Sequence, residues 1–582
     1  MRIRQCGLGL LAGLITLGGG CRKSTPEDKA SQPVKTQSAP AKPVPPESAA
    51  RVHWLGMKRL LAETNAAGFK ALWELPETSA LLSQTLNKLA LAPWRQSIPA
   101  LQPPITNYQS LITNYPSLVA SDPMASLARP LLEDLVGEEC YLEVRLRTNQ
   151  PGEAVLAVRL DDQRHAAWQT NLLAIGENLS GSKASAESAT DGWTINLASG
   201  PSSAAAPPST VSFTRSGGWT LLSLSSGQSA LLADLTGRIK ANPGGNPFQP
   251  GTTSFWLEAH LDSQRLWPAL AQKIGLPIEL PRASLTCIGD GKDVQSRGTL
   301  TFSKPLPFTI EKWNLPTTLL HEPLDSSTGL QGIRPWLQSL KLWKDLDLGE
   351  PPNQIFWWAR WGIPFHSYSA AATAKPDELL DKIRGHLLKE ANPWLATNAT
   401  GYFENSTNRN AVLWKVVPFI APIIESATNG GFLVAGLAAD TSTNPPPSAE
   451  TLQGVISRTN VFYYDWELTG SRIGEWLYIG QLFRVIFNKP QLPKNALSVA
   501  WLKALEQKLL ESRTVLSRTG PEEVSFARGS GLGLTAIELH LMIDWLESPE
   551  FPGGLYTWSS VNPRPPRPAP RASTSSGPNL KK

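Results

Sequence analysis

The chain has 582 residues, which at about 150 residues per domain allows two to four compact units and excludes a single small module. Apolar residues make up 41% and charged residues 18%, below the roughly 25% charged that is usual for soluble proteins, so global disorder is excluded too. Lys and Arg exceed Asp and Glu by only 54 − 49 = 5, too small a surplus over this length for a nucleic-acid partner without a concentrated basic face.

At the amino terminus Arg2 and Arg4 precede Leu8, Leu10, Leu11, Leu14, Ile15 and Leu17, and the run ends at Gly18-Gly19-Gly20-Cys21. This is the plan of an export signal, expected to span residues 1–20. Its apolar core is about ten residues long, short of the roughly 20 that cross a bilayer as a helix, so removal is expected and not retention. Small residues followed at once by cysteine resemble the lipobox of bacterial lipoproteins, with the usual aliphatic residue one place further back, at Leu17. The resemblance covers the signal and its cysteine alone. It implies a diacylglycerol on the Cys21 thiol and a new amino terminus there, hence a membrane-tethered protein outside the cytoplasm. Arg22 follows the cysteine, not aspartate, which by the same resemblance favours the outer membrane.

Residues 21–50 turn to Ser, Pro, Lys, Ala and Gln, a composition that cannot bury enough apolar surface to offset its ordering entropy. With the lipidated cysteine they are expected to form a disordered tether. The first folded element is a helix opened by Pro76, with Leu82, Leu86 and Leu89 on one face. Ile-Thr-Asn-Tyr occurs at Ile105 and again at Ile112, flanked by Pro103, Pro104 and Pro116, and reads as a surface insertion. Asp122 caps a helix that carries Leu127, Leu131 and Leu135 and should kink at Pro130.

From Cys140 the period becomes two, and Cys140–Leu146 with Ala154–Leu160 read as a hairpin. An Asp161-capped helix ending near Gly176 follows, then strands at Trp193–Leu197, Val211–Arg215 and Trp219–Leu224. A helix through Leu231, Leu235 and Ile239 leads to a strand ending at Leu261. An Asp262-capped helix with Leu266, Leu270 and Ile274 follows, and then a hairpin whose Asp290-Gly291 turn suits type I′ geometry. The second half repeats the style with more tryptophan, including strands at Ile355–Trp361 and Val461–Leu468 and a helix through Leu379, Ile383 and Leu387. Two short echoes, Val211–Arg215 in Val524–Arg528 and Leu261–Arg265 in Leu468–Arg472, have different offsets and reversed order. They argue for reuse of a local pattern and against duplication of a domain. The expectation is an α+β fold of antiparallel hairpins with interspersed amphipathic helices, in two domains, 51–310 and a Trp-rich 311–560. Residues 561–582, rich in Pro and Arg, form a disordered tail.

Catalytic motifs are missing. No Gly-x-Ser-x-Gly, His-Glu-x-x-His or Cys-x-x-Cys string occurs, so neither a serine nucleophile nor a preorganised zinc site is expected, and no cofactor or metal is called for. Asp345, Asp347 and Glu350 have only a faint likeness to a calcium loop. Adjacent acids such as Glu138-Glu139 and Asp161-Asp162 cannot face each other across a cleft and suit helix ends better. Cys140 and Cys287 could pair in an oxidising compartment, although strand-interior thiols more often serve as small apolar side chains. The 21 tryptophans leave one candidate site. Trp357 and Trp361 share a face if the strand alternates through both, and could form an aromatic binding platform, the alternative being a strand buried on both sides. The reading is a lipid-anchored envelope protein that binds or scaffolds without catalysis. Its partners would be the membrane, through the anchor, and an envelope protein or polysaccharide. The alternatives are an extracytoplasmic hydrolase on glycans or peptides and a carbohydrate-binding surface module.

Overall fold

The computed structural model describes residues 48–97, 108–147, 150–180, 192–197, 209–242, 255–266 and 280–558, apart from short breaks at 363–364, 418–419, 428–430, 441, 443, 448–458 and 494. Cys21, the tether before Ser48, Leu270, Ile274 and the 561–582 tail lie outside the described residues.

The fold is α+β. Among the described residues nineteen strands join in one sheet, with antiparallel pairing throughout. In chain order the first nine are β1 (Ser48–Trp54), β2 (Cys140–Arg147), β3 (Gln150–Arg159), β4 (Trp193–Leu197), β5 (Ser209–Ser216), β6 (Trp219–Ser225), β7 (Leu257–Asp262), β8 (Arg282–Gly289) and β9 (Val294–Thr301). They lie side by side as β4-β5-β6-β3-β2-β1-β7-β8-β9. The remainder are β10 (Leu324–Gln331), β11 (Gln354–Arg360), β12 (Ser367–Ala372), β13 (Tyr402–Asn405), β14 (Ala411–Lys415), β15 (Ile423–Ala427), β16 (Phe432–Gly436), β17 (Val461–Leu468), β18 (Glu511–Arg518) and β19 (Glu523–Ser530). Their order is β13-β14-β15-β16-β12-β11-β10-β17-β18-β19. Setting aside the added β13, the two orders are the same.

The copies meet edge to edge through their equivalent last strands, β9 against β19, with Arg297 opposite Ala527. That is the arrangement of an internal two-fold. Gly56 and Gly332 stand at the ends of the equivalent strands β1 and β10 with φ of +86° and +84°. Both need glycine, since a Cβ at Gly56 would lie 2.4 Å from the Glu138 carbonyl carbon and one at Gly332 would lie 2.6 Å from the Phe308 ring. The expectation against duplication is therefore overturned at the level of topology. Of the two echoes, one falls on the equivalent junctions after β7 and β17 but is a residue out of step, because Asp262, not Leu261, is the counterpart of Leu468. The other joins β5 to β19, which are not equivalent.

The longer helices are α1 (Pro76–Leu91), α2 (Tyr108–Ser121), α3 (Pro123–Gly137), α4 (Asp162–Ser180), α5 (Ala230–Ala241), α6 (Pro376–His386), α7 (Thr469–Ile486), α8 (Leu497–Glu506) and α9 (Ala536–Leu546). In the first copy one sheet face packs Val158, Trp193, Ile195 and Phe213 against Trp168 of α4. The other packs Tyr141, Val155, Ala157 and Leu221 against Leu231, Leu235 and Ile239 of α5. In the second copy the chain between β9 and β10 lays Trp313 and Leu320 over Phe356, Trp358, Tyr368, Val434 and Tyr464. The opposite face carries helices. Leu72 and Leu81 from the first copy join α7, α8 and α9 in a common core with Ile473, Leu502, Leu505, Leu539 and Ile543. Each such side chain removed from water contributes about 1.5–3 kcal/mol, so this core ties the copies together beyond their shared sheet edge.

Several local expectations are corrected. Of the repeat expected as a surface insertion, the copy at Ile105 lies outside the described residues up to Tyr108, whereas the copy at Ile112 falls within α2, whose Tyr115 and Val119 pack against Ala90, Leu91 and Ala125. The tether expected to run to residue 50 overlaps the first strand, since β1 includes Ser48, Ala49 and Ala50 and the two alanines are buried in it. The β8–β9 loop is not a type I′ turn, since Asp290 lacks positive φ; its carboxylate instead accepts from the amides of Lys292 and Asp293. Cys140 and Cys287 are both free thiols, and burial pushes Cys140 up to about 12.

Candidate functional site

A cavity of about 420 Å³ opens between the second copy's sheet and the helices α7 and α9. Its floor is one row of cross-strand partners. Val412 of β14 stands opposite Ile424, then come Ala435, Ser369, Trp357, Thr328 and Asp465 on successive strands. Thr514 and Arg528 continue the row. Partners directly opposite in an antiparallel ladder share a face, so the register alone sets the order of side chains. The floor is aliphatic at the β14 end, aromatic in the middle, and hydroxylated and charged at the β17–β19 end. The roof is built at helical spacing by Arg472, Trp476 and Ile479 of α7 and by Ile537, Glu538 and Leu541 of α9. Leu541 is also 51% exposed.

The charged end is held in place by its neighbours. Asp465 and Glu467 alternate along β17 with Tyr464 and Trp466, so both acids point into the cavity while the aromatics point to the other face. Asp465 accepts from the Thr328 hydroxyl at 2.6 Å. Glu467 accepts from the Ala536 amide at 2.6 Å, at the first turn of α9, and from Ser512 at 3.3 Å. Arg528 donates to both carboxylate oxygens of Glu538, at 2.7 and 3.0 Å, and to Thr514 at 2.9 Å. Glu538 also closes a capping box with Thr535. Arg472 pairs with Glu475 on its own helix and lies 5.3 Å from the Trp476 ring centre. Burial, reinforced by Asp465, pushes the Glu467 carboxyl up to about 7. Burial likewise raises Asp465, and raises Asp325, which sits behind the site and accepts from Ser471 at 2.9 Å. Tyr463, on the same strand face, is held protonated well above its usual range.

Of the two tryptophans named from sequence, Trp357 is a cavity wall. Trp361 is not: β11 ends at Arg360, and Trp361 lies past it, 56% exposed and outside the cavity lining. The strand between them is buried on both faces, with Trp358 in the core on the far side. Asp345 and Asp347 pair separately with Lys341 and Lys382, and no group of three metal-ligating side chains occurs among the described residues. Sequence reasoning passed over Asp465 and Glu467, because acids alternating with aromatics on a strand read as its solvent face. The available signal was the position of α7 directly after that strand, which covers the face the acids occupy. No helix among the described residues is long and apolar enough to cross a membrane. The chain matches no family model, no curated protein and no solved structure.

Proposed function

We propose that this is a lipid-anchored, extracytoplasmic binding protein of the cell envelope, and that its cavity takes a small amphiphile. The observation that carries the reading is the floor row, which grades from Val412, Ile424 and Ala435 to Thr328, Asp465 and Arg528 within one enclosed space. Such grading matches a ligand with an apolar body and a polar head, and the volume lies within the roughly 300–1,000 Å³ of small-molecule sites. The lipobox-like segment ending at Cys21 supports the anchor and the compartment.

A second reading, acid–base hydrolysis, is favoured by one observation, the Glu467 carboxyl near neutrality beside Asp465. Binding is preferred because the two acids stand side by side on one strand face, whereas glycoside hydrolysis needs carboxyls facing each other across about 5–9 Å of cleft.

The test has two arms. Full chain titrated with a neutral naphthylamine probe should show saturable fluorescence enhancement, and Ala435→Leu, which fills the cavity floor, should weaken it about tenfold or more while changing stability by less than about 3 kcal/mol. Undiminished probe binding in Ala435→Leu sinks the cavity reading. Metabolic labelling with a fatty acid should mark the wild type and not Cys21→Ser; equal labelling of both sinks the anchor.

A further inference from the structure

We propose that the ligand's head is a cation, an alkyl- or arylammonium group seated beside Asp465 and Glu467; this rests on the binding reading above. The argument is a count of charges at that end of the cavity. Each guanidinium makes its ion pair elsewhere, Arg472 with Glu475 and Arg528 with Glu538, and acts on these acids only from beyond ion-pair distance, Arg472 on Asp465, Glu467 and Asp325 and Arg528 on Asp465. Among the described residues no cation lies within ion-pair distance of Asp465, Glu467 or Asp325, and all three are more than nine-tenths buried. Their hydrogen bonds come from neutral donors, Thr328, Ala536, Ser512 and Ser471. A buried carboxylate without a cation is costly, and proteins normally neutralise it by protonation or pairing. Burial, the largest influence on both, pushes the Glu467 and Asp465 carboxyls upward, toward their neutral forms.

An ammonium head changes the balance. It would supply positive charge to a cluster in which Asp465 and Glu467 line the cavity and Asp325 lies behind them. A carboxylate or phosphate head would meet those acids with like charge. A hydroxyl head would leave their burial uncompensated. The groups that set the field at Glu467 are Tyr463 and Asp465 on its own strand, Asp325 at the start of β10, Arg472 and Glu475 on α7, Arg528 on β19 and Glu538 on α9.

The experiment is displacement of the neutral naphthylamine probe from the full chain by decylamine, decanol and decanoate, three amphiphiles that differ only at the head. Near pH 8 decylamine should bind about tenfold or more tighter than decanol, and decanoate most weakly. Glu467→Gln and Asp465→Asn should abolish the advantage of the amine over decanol. Because the amine favours the ionised acids, its affinity for the wild type should rise from about pH 5 to about pH 8, while that of decanoate falls. This second measurement needs no variant. Decanol or decanoate binding as tightly as decylamine overturns the cationic head and leaves the cavity reading intact; no displacement by any of the three overturns both.

Discussion

Glu143 on β2 and Glu467 on β17 are both buried carboxylates facing a helix layer, one in each copy, and they respond to burial in opposite directions. Burial alone would raise Glu143. Hydrogen bonds from Tyr141 and Ser48 and the Arg238 guanidinium overcome it and hold the group at about 2, with Arg51 and Arg145 adding contacts at 3.2 and 3.1 Å. Glu467 receives only neutral donors and stays near 7. When the copies are aligned strand by strand on their registers, Ser326, Thr328, Asp465 and Glu467 on the cavity face correspond to Ala50, Val52, Ala259 and Leu261. On the opposite face Arg51, His53 and Glu258 correspond to Ser327, Gly329 and Tyr464. Polar and apolar faces are exchanged between two copies of one topology. The first copy closes its charges into ion pairs, whereas the second leaves acids lining a space.

The contrast can be broken at its strong end first. Glu143→Gln leaves Arg51, Arg145 and Arg238 around a neutral group and should cost about 3–5 kcal/mol in urea unfolding. A loss below about 1 kcal/mol would mean that the first copy's network is no better satisfied than the second's.

Glu467→Gln should act in the other direction and depend on pH. The folded group titrates near 7 against an ordinary 4.5, so the fold favours the protonated form. The stability it contributes is complete below the ordinary value and is lost as pH climbs through the folded one. Thermal melts of wild type and variant should coincide near pH 4. By about pH 8 the variant should be more stable by about 1–3 kcal/mol. A less stable variant at high pH would reveal a cationic partner for Glu467 and erase the difference between the copies.

A pair of variants separates the two tryptophans and includes the smallest effect, at Trp361. Trp357→Ala removes a cavity wall that also packs beside Ile355 and Leu379, and should lose about 2–4 kcal/mol together with probe binding. Trp361→Ala, outside the cavity and largely exposed, should stay within about 0.5 kcal/mol and bind the probe normally. Equal losses in binding would restore the shared aromatic platform.

The elements were legible where a period was clean. Trp193–Leu197 and Val461–Leu468 match β4 and β17 end to end, and Asp122 caps α3 through the amides of Met124 and Ala125 as its position suggested. The duplication was not legible because the one echo at equivalent places is shifted by a residue, and in a strand a one-residue shift exchanges the faces. Read in the echo's register, Glu258 would match Asp465, a polar match that the hydrogen-bonded ladder denies. The cavity was hidden for a related reason. Its floor row crosses nine strands, many of whose neighbours in space are far apart in sequence, so nothing local to Asp465 or Glu467 announces that helices cover them.

The seam between β9 and β19 governs the order in which the molecule can be completed. Every strand of the first copy finds its neighbours within residues 48–301, save that β9 keeps one bare flank until Glu523–Ser530 has been synthesised. While residues 302–522 are being added, the nascent polypeptide therefore displays an unpaired row of amides and carbonyls, the template on which other chains can aggregate. A shielding chaperone would have its greatest effect in that interval.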